Sequence, residues 1–340
     1  MRPISLITSV NGETADDGRM MTQNYLEMKE IVVMMLGGAR RVSFAELLKE
    51  SGKKLGYDIK IVSYELLRQV PIAIIGEVIV GLKWTDPDVV ADIVKVAKEQ
   101  NVDIILPFVD GAIEIASKCK SQLPDVFIPV SEYEISRMLF DKLEAARLFR
   151  ENKLAIPKTY TVRNAEVPAI AKPRHGTSSR GIRIFYNIDE LMGLENLSDY
   201  LVQEYIEHRE EYTVDCYVSQ TGEILTAVPR LRIEVVGGEV SRTETFRIPE
   251  LMDMSREVIK AFDLRGPVTL QFIHDLDNDR YLLMEVNPRL GGGVICSIFA
   301  GAPIPDYILR EALGQPVEPC DDWRPRTLMA RYQKETIFHD

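Results

Sequence analysis

The sequence predicts an α/β protein in two parts, a parallel βαβ unit over residues 30–130 and a mixed α+β unit over 131–340. Three observations carry this. Between Ile31 and Pro107, apolar runs of strand length alternate with helical stretches, the pattern of strands joined by crossover helices. Ser131-Glu132-Tyr133-Glu134 reads as a capping box, which opens a new helix and marks the join. Beyond it, alternating strands end in a hairpin, Thr269–His274 and Tyr281–Asn287, around the turn Asp275–Asp279. A chain of 340 residues has room for two or three domains with a large core.

The elements follow in order. Ile31–Leu36 is a buried strand, Ser43–Leu55 a helix and Asp58–Ser63 the next strand. The apolar stretch Val70–Leu82 is broken by Glu77 and fits a short buried strand and a turn. Asp86 and Pro87 supply an N-cap and a first-turn proline for a helix to Gln100. Asp103–Pro107 is a strand. In the second part a helix covers 142–152, ahead of Pro157. Strands are expected near 158–163, 168–173 and 182–186, with a loop between the last two. Asn187 caps a short helix, and strands return near 200–206, 211–219 and 223–236. Pro249–Phe262 and Pro303–Leu313 complete the helices. Residues 1–29 are polar, lack the apolar core of a secretory signal, and read as an extension ahead of the fold.

Composition removes several functional classes. A net charge of -11 argues against a nucleic-acid footprint, which needs a basic face. No apolar run approaches the ~20 residues that span a bilayer. Cys119, Cys216, Cys296 and Cys320 form no CxxC pair, which favours free thiols in a cytoplasmic protein over zinc or disulfides. Gly37-Gly38, between the first strand and helix, lacks the GxGxxG spacing of a dinucleotide site. Behind it, Arg40 and Arg41 at a helix N-terminus either meet an anionic substrate or are simply solvated.

The run Tyr281–Gly293 carries the most chemistry. Alternation in a strand sends Leu282, Met284 and Val286 into a core and Glu285, Asn287 and Arg289 to the other face. Two hard oxygen donors at that spacing suit Mg²⁺, which leaves part of its octahedron to phosphate oxygens and water. The partner strand can add Gln271 to the same face. The cation of Arg289 suits a second anionic group. Upstream, Lys172 ends a strand before Arg174-His175-Gly176-Thr177-Ser178-Ser179-Arg180-Gly181, a loop offering backbone N–H groups and cations to phosphate.

Gln271 with Glu285-Val-Asn287-Pro-Arg289 and its glycines resembles the metal signature of the ATP-grasp superfamily, of the carbamoyl-phosphate-synthase large-chain and carboxylate–amine ligase type. The resemblance implies a Rossmann-like pre-ATP-grasp domain over 30–130 and an α+β ATP-grasp fold over 131–340, with a small lid subdomain over 158–204. It implies that Glu285 and Asn287 bridge Mg²⁺ to ATP, with Gln271 as a third, weaker ligand. One or two Mg²⁺ ions are expected, with Mn²⁺ as an alternative. Lys142 and Lys172 would contact phosphates, and Arg174, Ser178 and Gly181 would belong to the lid loop. Glu204 and Ile206 would grip adenine, Glu211 the ribose hydroxyls, and Arg289 an acyl-phosphate and its tetrahedral adduct. The carbamoyl-phosphate-synthase type carries Arg at both basic positions, so Lys142 and Lys172 put carbamoyl phosphate itself in doubt as product.

The implied activity is that of an ATP-dependent ligase joining a small-molecule carboxylate to an amine through an acyl-phosphate, with ADP released. Lys172 and Arg289 are its catalytic candidates. Neither nucleic acid nor membrane is expected as a partner, and a homodimer is allowed. Two alternatives stay open: a small-molecule kinase of the same fold, and an ATP-binding protein without turnover.

Overall fold

The computed structural model describes residues 28–161, 164–176 and 180–339. Its first sheet is built by β1 (Lys29–Leu36), β2 (Tyr57–Glu65), β3 (Glu77–Val80) and β4 (Ile104–Pro107), in the order β3-β2-β1-β4. All its pairings are parallel. The helix α1 (Val42–Leu55) joins β1 to β2 and α2 (Val89–Glu99) joins β3 to β4, while α3 (Asp110–Cys119) follows β4. β1 is buried from Ile31 onward because helices cover both faces of the sheet, which is why it reads as an unbroken apolar run. β3 is half-exposed because it lies at the sheet edge, so the buried strand expected between Val70 and Leu82 is instead a 3₁₀ turn at Pro71–Ile74 and this edge strand.

Helices α4 (Tyr133–Phe140) and α5 (Lys142–Glu151) lead to a small antiparallel sheet. It contains β5 (Thr159–Tyr160), β6 (Ala169–Pro173), β7 (Arg183–Phe185) and, after α6 (Ile188–Met192), β8 (Tyr200–Glu204). Its order is β5-β8-β6-β7, and it has its own apolar cluster around Tyr160, Ala171, Phe185 and Leu191. The large sheet follows, with β9 (Arg209–Val218), β10 (Ile224–Val236), β11 (Glu239–Thr245), then α7 (Pro249–Ala261), β12 (Gly266–Asp275) and β13 (Arg280–Asn287). After α8 (Val294–Phe299) and α9 (Ile304–Ala312), β14 (Leu328–Ala330) returns to pair with β11. The sheet order is β13-β12-β9-β10-β11-β14. One face of this sheet packs Val214, Cys216, Leu270, Phe272, Leu283 and Val286 into the main core with α7 and α9.

Three local expectations are corrected. Ser131 does not cap α4: its N-cap is Glu132, with no side-chain hydrogen bond. The Ser131 hydroxyl instead donates to the Arg265 carbonyl and accepts from the Arg265 N–H, tying the first part of the chain to β12. Asp86 caps a turn rather than the helix, accepting from the Asp88 N–H at 3.0 Å, and α2 begins at Val89. Strand structure near 158–163 is confined to Thr159–Tyr160 among the described residues. By contrast, Asn187 caps α6 as expected, accepting from the Asp189 N–H. The first 27 residues of the expected polar extension lie outside the described residues, as do Thr177, Ser178 and Ser179 of the predicted phosphate loop. Among the described residues, no helix is long and apolar enough to cross a membrane.

Candidate active site

Hairpin β12–β13 brings the predicted oxygen donors together. Gln271 stands opposite Glu285, and Thr269 opposite Asn287. Directly opposed residues of an antiparallel pair share a face, so three side chains with oxygen donors converge. The expected alternation along β13 is corrected here. The register slips between Gln271 and Phe272, whose partners are Glu285 and Leu283, leaving Met284 as an extra residue. This β-bulge splits the apolar set. Leu283 and Val286 enter the main core, whereas Leu282 and Met284 pack with Ile206 and Ile273 on the opposite side. A bulge turns two consecutive side chains toward one face. Met284 thereby joins an apolar floor in the cleft next to Glu285.

The same sheet face continues across β9 and β10. Thr213 is the partner of both Gln271 and Arg230, so Glu211, Thr213 and Asp215 form a polar row beside Arg230 and Arg232. Glu211 lies 3.4 Å from Arg209 Nε and 3.5 Å from Arg232 Nε. Burial lowers the pKa of Arg232 while Glu211 works against that shift. Beneath this row, the Arg230 Nε and Nη2 atoms donate to Asp215 at 2.7 and 3.3 Å, and Ser297 donates to the same carboxylate at 2.7 Å.

Lys172 faces this sheet from β6. It is buried, and its ammonium donates to Gln203 Oε1 at 3.0 Å. Burial pushes its pKa down to about 8, while Glu285 and Glu211 pull the other way and Lys142 and Arg209 add to the depression. Between the small and large sheets lies a cleft of about 490 Å³, a size suited to a cofactor. Its walls include Lys142, Lys172, Ile206, Glu211, Gln271, Glu285 and, from α3, Asp110 and Glu114.

The remaining predicted residues are placed as follows. The Lys142 ammonium donates to the Gly176 carbonyl at 2.7 Å. Arg174 is already paired, its Nε donating to Asp141 at 2.7 Å. Asp141 also caps α5, so one carboxylate fixes both the helix carrying Lys142 and the start of the loop. Gly181 has φ +74° and a Cβ there would lie 3.0 Å from Pro173. The Glu204 carboxylate accepts from the Lys158 N–H at 2.7 Å and from Arg280 at 3.1 Å. Arg209 donates to the Ile206 carbonyl at 2.7 Å. Asn287 is buried, and Arg289 donates from Nε to Asp110 at 2.7 Å and from Nη2 to Asn287 at 3.4 Å.

Asp110, Arg230 and Arg232 carry site geometry that the sequence reading missed. The signal for the arginines was present: Arg230 and Arg232 alternate along a strand as Glu285 and Asn287 do. Among the described residues, no three His, Cys, Asp or Glu side chains form a metal cluster. The set of one carboxylate and two amide oxygens still fits a Mg²⁺ ion that draws its other ligands from phosphates and water. Glu285 sits beside Asn287 and faces the cleft.

The arrangement resembles that of ATP-grasp proteins, and the comparisons agree with the sequence resemblance. Residues 196–336 match the family described as ATP-grasp in the biosynthetic pathway with Ter operon. The chain is 27% identical over 164 residues to the carbamoyl phosphate synthase large chain of Methanospirillum hungatei, an alignment covering 43% of this chain and 15% of that one. It thus spans less than a fifth of that relative. Among solved structures it resembles the biotin carboxylase domain of 2-oxoglutarate carboxylase from Hydrogenobacter thermophilus, determined with MgADP, ADP and bicarbonate. The TM-score is 0.69 at 17% identity, covering 87% of this chain and 73% of that one. N5-carboxyaminoimidazole synthetase from Staphylococcus aureus, complexed with ADP, gives a TM-score of 0.66 at 17% identity and coverage of 88% and 80%. These structural likenesses establish the shared fold.

Proposed function

We propose that this protein is an ATP-dependent ligase that activates a small-molecule carboxylate as an acyl-phosphate, releases ADP and passes the acyl group to an amine. The observation that carries this reading is the pairing of Gln271 with Glu285, beside Asn287, on a sheet face opposite the buried Lys172. Direct condensation of a carboxylate with an amine is uphill in water, so phosphate must be made the leaving group. Glu285, Asn287 and Gln271 would hold Mg²⁺, which when bound supplies positive charge to the phosphate oxygens. Lys172 and Lys142 neutralise the charge that spreads over the transferring phosphoryl group.

The adenine end of the cleft is formed by Glu204–Ile206 and the apolar floor of Ile206, Ile273 and Met284, with Leu282 packed behind them. With its carboxylate engaged by Lys158 and Arg280, Glu204 acts by fixing the backbone of this edge, whose polar groups read the base. Glu211 receives the ribose hydroxyls. Arg289 holds the acceptor carboxylate and later the oxyanion. Asp110 engages the Nε edge of that guanidinium, so an acceptor binding at this edge competes with Asp110.

Two substitutions test this. Glu285→Gln keeps the shape and removes the carboxylate charge. The expected result is an intact fold and at least about a hundredfold loss of ADP formation, comparable to losing a principal electrostatic contact to the transition state. Near-native turnover would refute the metal assignment. Arg289→Lys keeps a cation for Asp110 but loses the planar fork. It should leave ATP affinity nearly unchanged and slow single-turnover ADP formation by ~10²–10³-fold, the scale of one oxyanion donor. A variant that loses melting temperature but retains its chemical rate would make Arg289 a structural brace.

A further inference from the structure

Four arginines from four separate segments converge on the glycine turn Gly291–Gly293, and acyl transfer by the proposed route needs only Arg289. Arg41 stands at the start of α1, Arg230 in β10, and Arg331 just after β14. A Cβ on Gly292 would lie 3.1 Å from both Arg41 Nη1 and Arg331 Nη2, and 3.2 Å from Glu239 Oε2. A Cβ on Gly293 would lie 2.5 Å from Arg230 Nη1. That atom is buried and has no hydrogen-bond partner among the described residues. Glu239 bridges the other two, accepting from Arg41 Nη2 at 3.2 Å and from Arg331 Nη1 at 2.6 Å. Arg331 also donates to the Gly292 carbonyl.

The carboxylates in this cluster are not equivalent. Asp215 is buried and locked by Arg230 and Ser297. Among the described residues, Asp110 serves Arg289 alone of the arginines. Glu239 must satisfy two guanidiniums, its side chain is 41% exposed, and it follows the Gly237-Gly238 turn. Arg41 and Arg331 remain accessible at 16% and 32%. Burial lowers the pKa of Arg41, and the nearby charges of Arg289 and Arg331 lower it further against the pull of Glu239. An anion arriving from solvent would relieve this repulsion, and two guanidinium forks on one carboxylate are the geometry that grips such a group.

We infer that Arg41 and Arg331 form a clamp for a second anionic group of the acceptor, a carboxylate or a phosphate, which displaces Glu239 as it binds. The acceptor is then at least a dianion. Its reacting carboxylate lies on Arg289, an assignment that rests on the ligase reading, and its other anionic group lies on the clamp. Arg230, fixed beneath Gly293, adds positive potential without needing to move.

Calorimetric titration of the full chain with Mg·ADP present tests the clamp. The probes are succinate, glutarate and phosphoglycolate against acetate and butyrate. The proteins are wild type, Arg41→Gln, Arg331→Gln and Glu239→Gln. Dianions should bind wild type at least about tenfold tighter than monoanions, the worth of one charge-assisted contact. The preference should vanish in both arginine variants and grow in Glu239→Gln, which keeps the side-chain shape while removing the internal competitor. Tighter binding of phosphoglycolate or of the dicarboxylates supports the clamp either way and names its anion. Equal binding of mono- and dianions by wild type, or an unchanged preference in Glu239→Gln, overturns the proposal; the latter arm holds even where an arginine variant fails to fold. A dianion preference with no ADP formed from any carboxylate and amine would overturn the ligase reading alone. ADP formed equally well from monocarboxylates would overturn the clamp alone.

Discussion

The Lys172 ammonium is buried against an amide, Gln203, with the carboxylates of Glu285 and Glu211 near but not bonded to it. Its pKa is lowered from 10.5 to about 8, chiefly by burial. The charged form is therefore disfavoured in the folded protein. Below pH 8 burying the charge costs stability, and that cost fades as pH rises from 8 towards 10.5, where the unfolded chain also loses its proton. A nucleotide phosphate beside Lys172 would restore the preference for charge. Binding of Mg·ADP at pH 8 should then take up about half a proton, and almost none at pH 6. Calorimetry in buffers of different ionisation enthalpy measures this; no buffer dependence at pH 8 would remove Lys172 from the phosphate site. The residues Glu285, Asn287 and Arg289 were legible because they share one short strand and its turn, so their spacing alone aligns them. Asp110 was not. It meets Arg289 across 179 positions of chain, and nothing in its own neighbourhood signals that contact.

Elements were legible where burial and local chemistry agree. β1 and β4 are covered on both faces and read as apolar runs, and Asn187 caps its helix by its own side chain. α3 was missed because it begins with no side-chain cap, its N-cap being Val109. β11 was missed because its sequence, Glu239–Thr245, is largely polar, although Gly237-Gly238 before it is a hairpin signal. The bulge at Met284 was invisible for a different reason. It falls in the consecutive apolar run Tyr281–Met284, where alternation is lost and only the register reveals which residue is extra. The glycine turn after β13 is constrained by what lies under it. Gly293 packs on the Arg230 guanidinium, which Asp215 and Ser297 hold in place and which cannot easily yield. Gly293→Ala should therefore cost about 1–3 kcal/mol, the scale of an overpacked interior, measured by denaturant unfolding. Gly237→Ala is a useful contrast. No atom lies within 4 Å of a Cβ there, but its φ of +59° leaves a purely backbone strain. If Gly293→Ala loses no more stability than Gly237→Ala, the guanidinium is free to move and the turn is less rigid than its packing suggests.

At the scale of the molecule, three sheets with different partners frame one cleft. The parallel unit contributes Asp110 from α3, which follows β4, the small antiparallel sheet Lys172, and the large sheet Glu211, Gln271 and Glu285. The parallel character of the first sheet was legible, since its strands and crossover helices alternate in sequence. The small sheet was expected only through the family resemblance, which implied a small lid subdomain over 158–204, because its short strands carry little pattern of their own. Its apolar cluster, centred on Tyr160, Ala171, Phe185 and Leu191, is distinct from the main core. A unit with its own small core can shift without unpacking the rest. We therefore assign the small sheet the role of a lid that closes when nucleotide bridges Lys142 and Lys172 to the oxygen donors of the large sheet. Amide hydrogen exchange with and without Mg·ADP tests this. Amides of 169–173 and 200–206 should slow in the presence of Mg·ADP, while those of the parallel strands 29–36 and 57–65 should not change. Glu285→Gln should weaken the slowing at a fixed Mg·ADP concentration, since the bridge then lacks its carboxylate. If the small sheet exchanges at the same rate in both states of the wild type, no closure accompanies binding, and the cleft is a preformed site that admits nucleotide without moving.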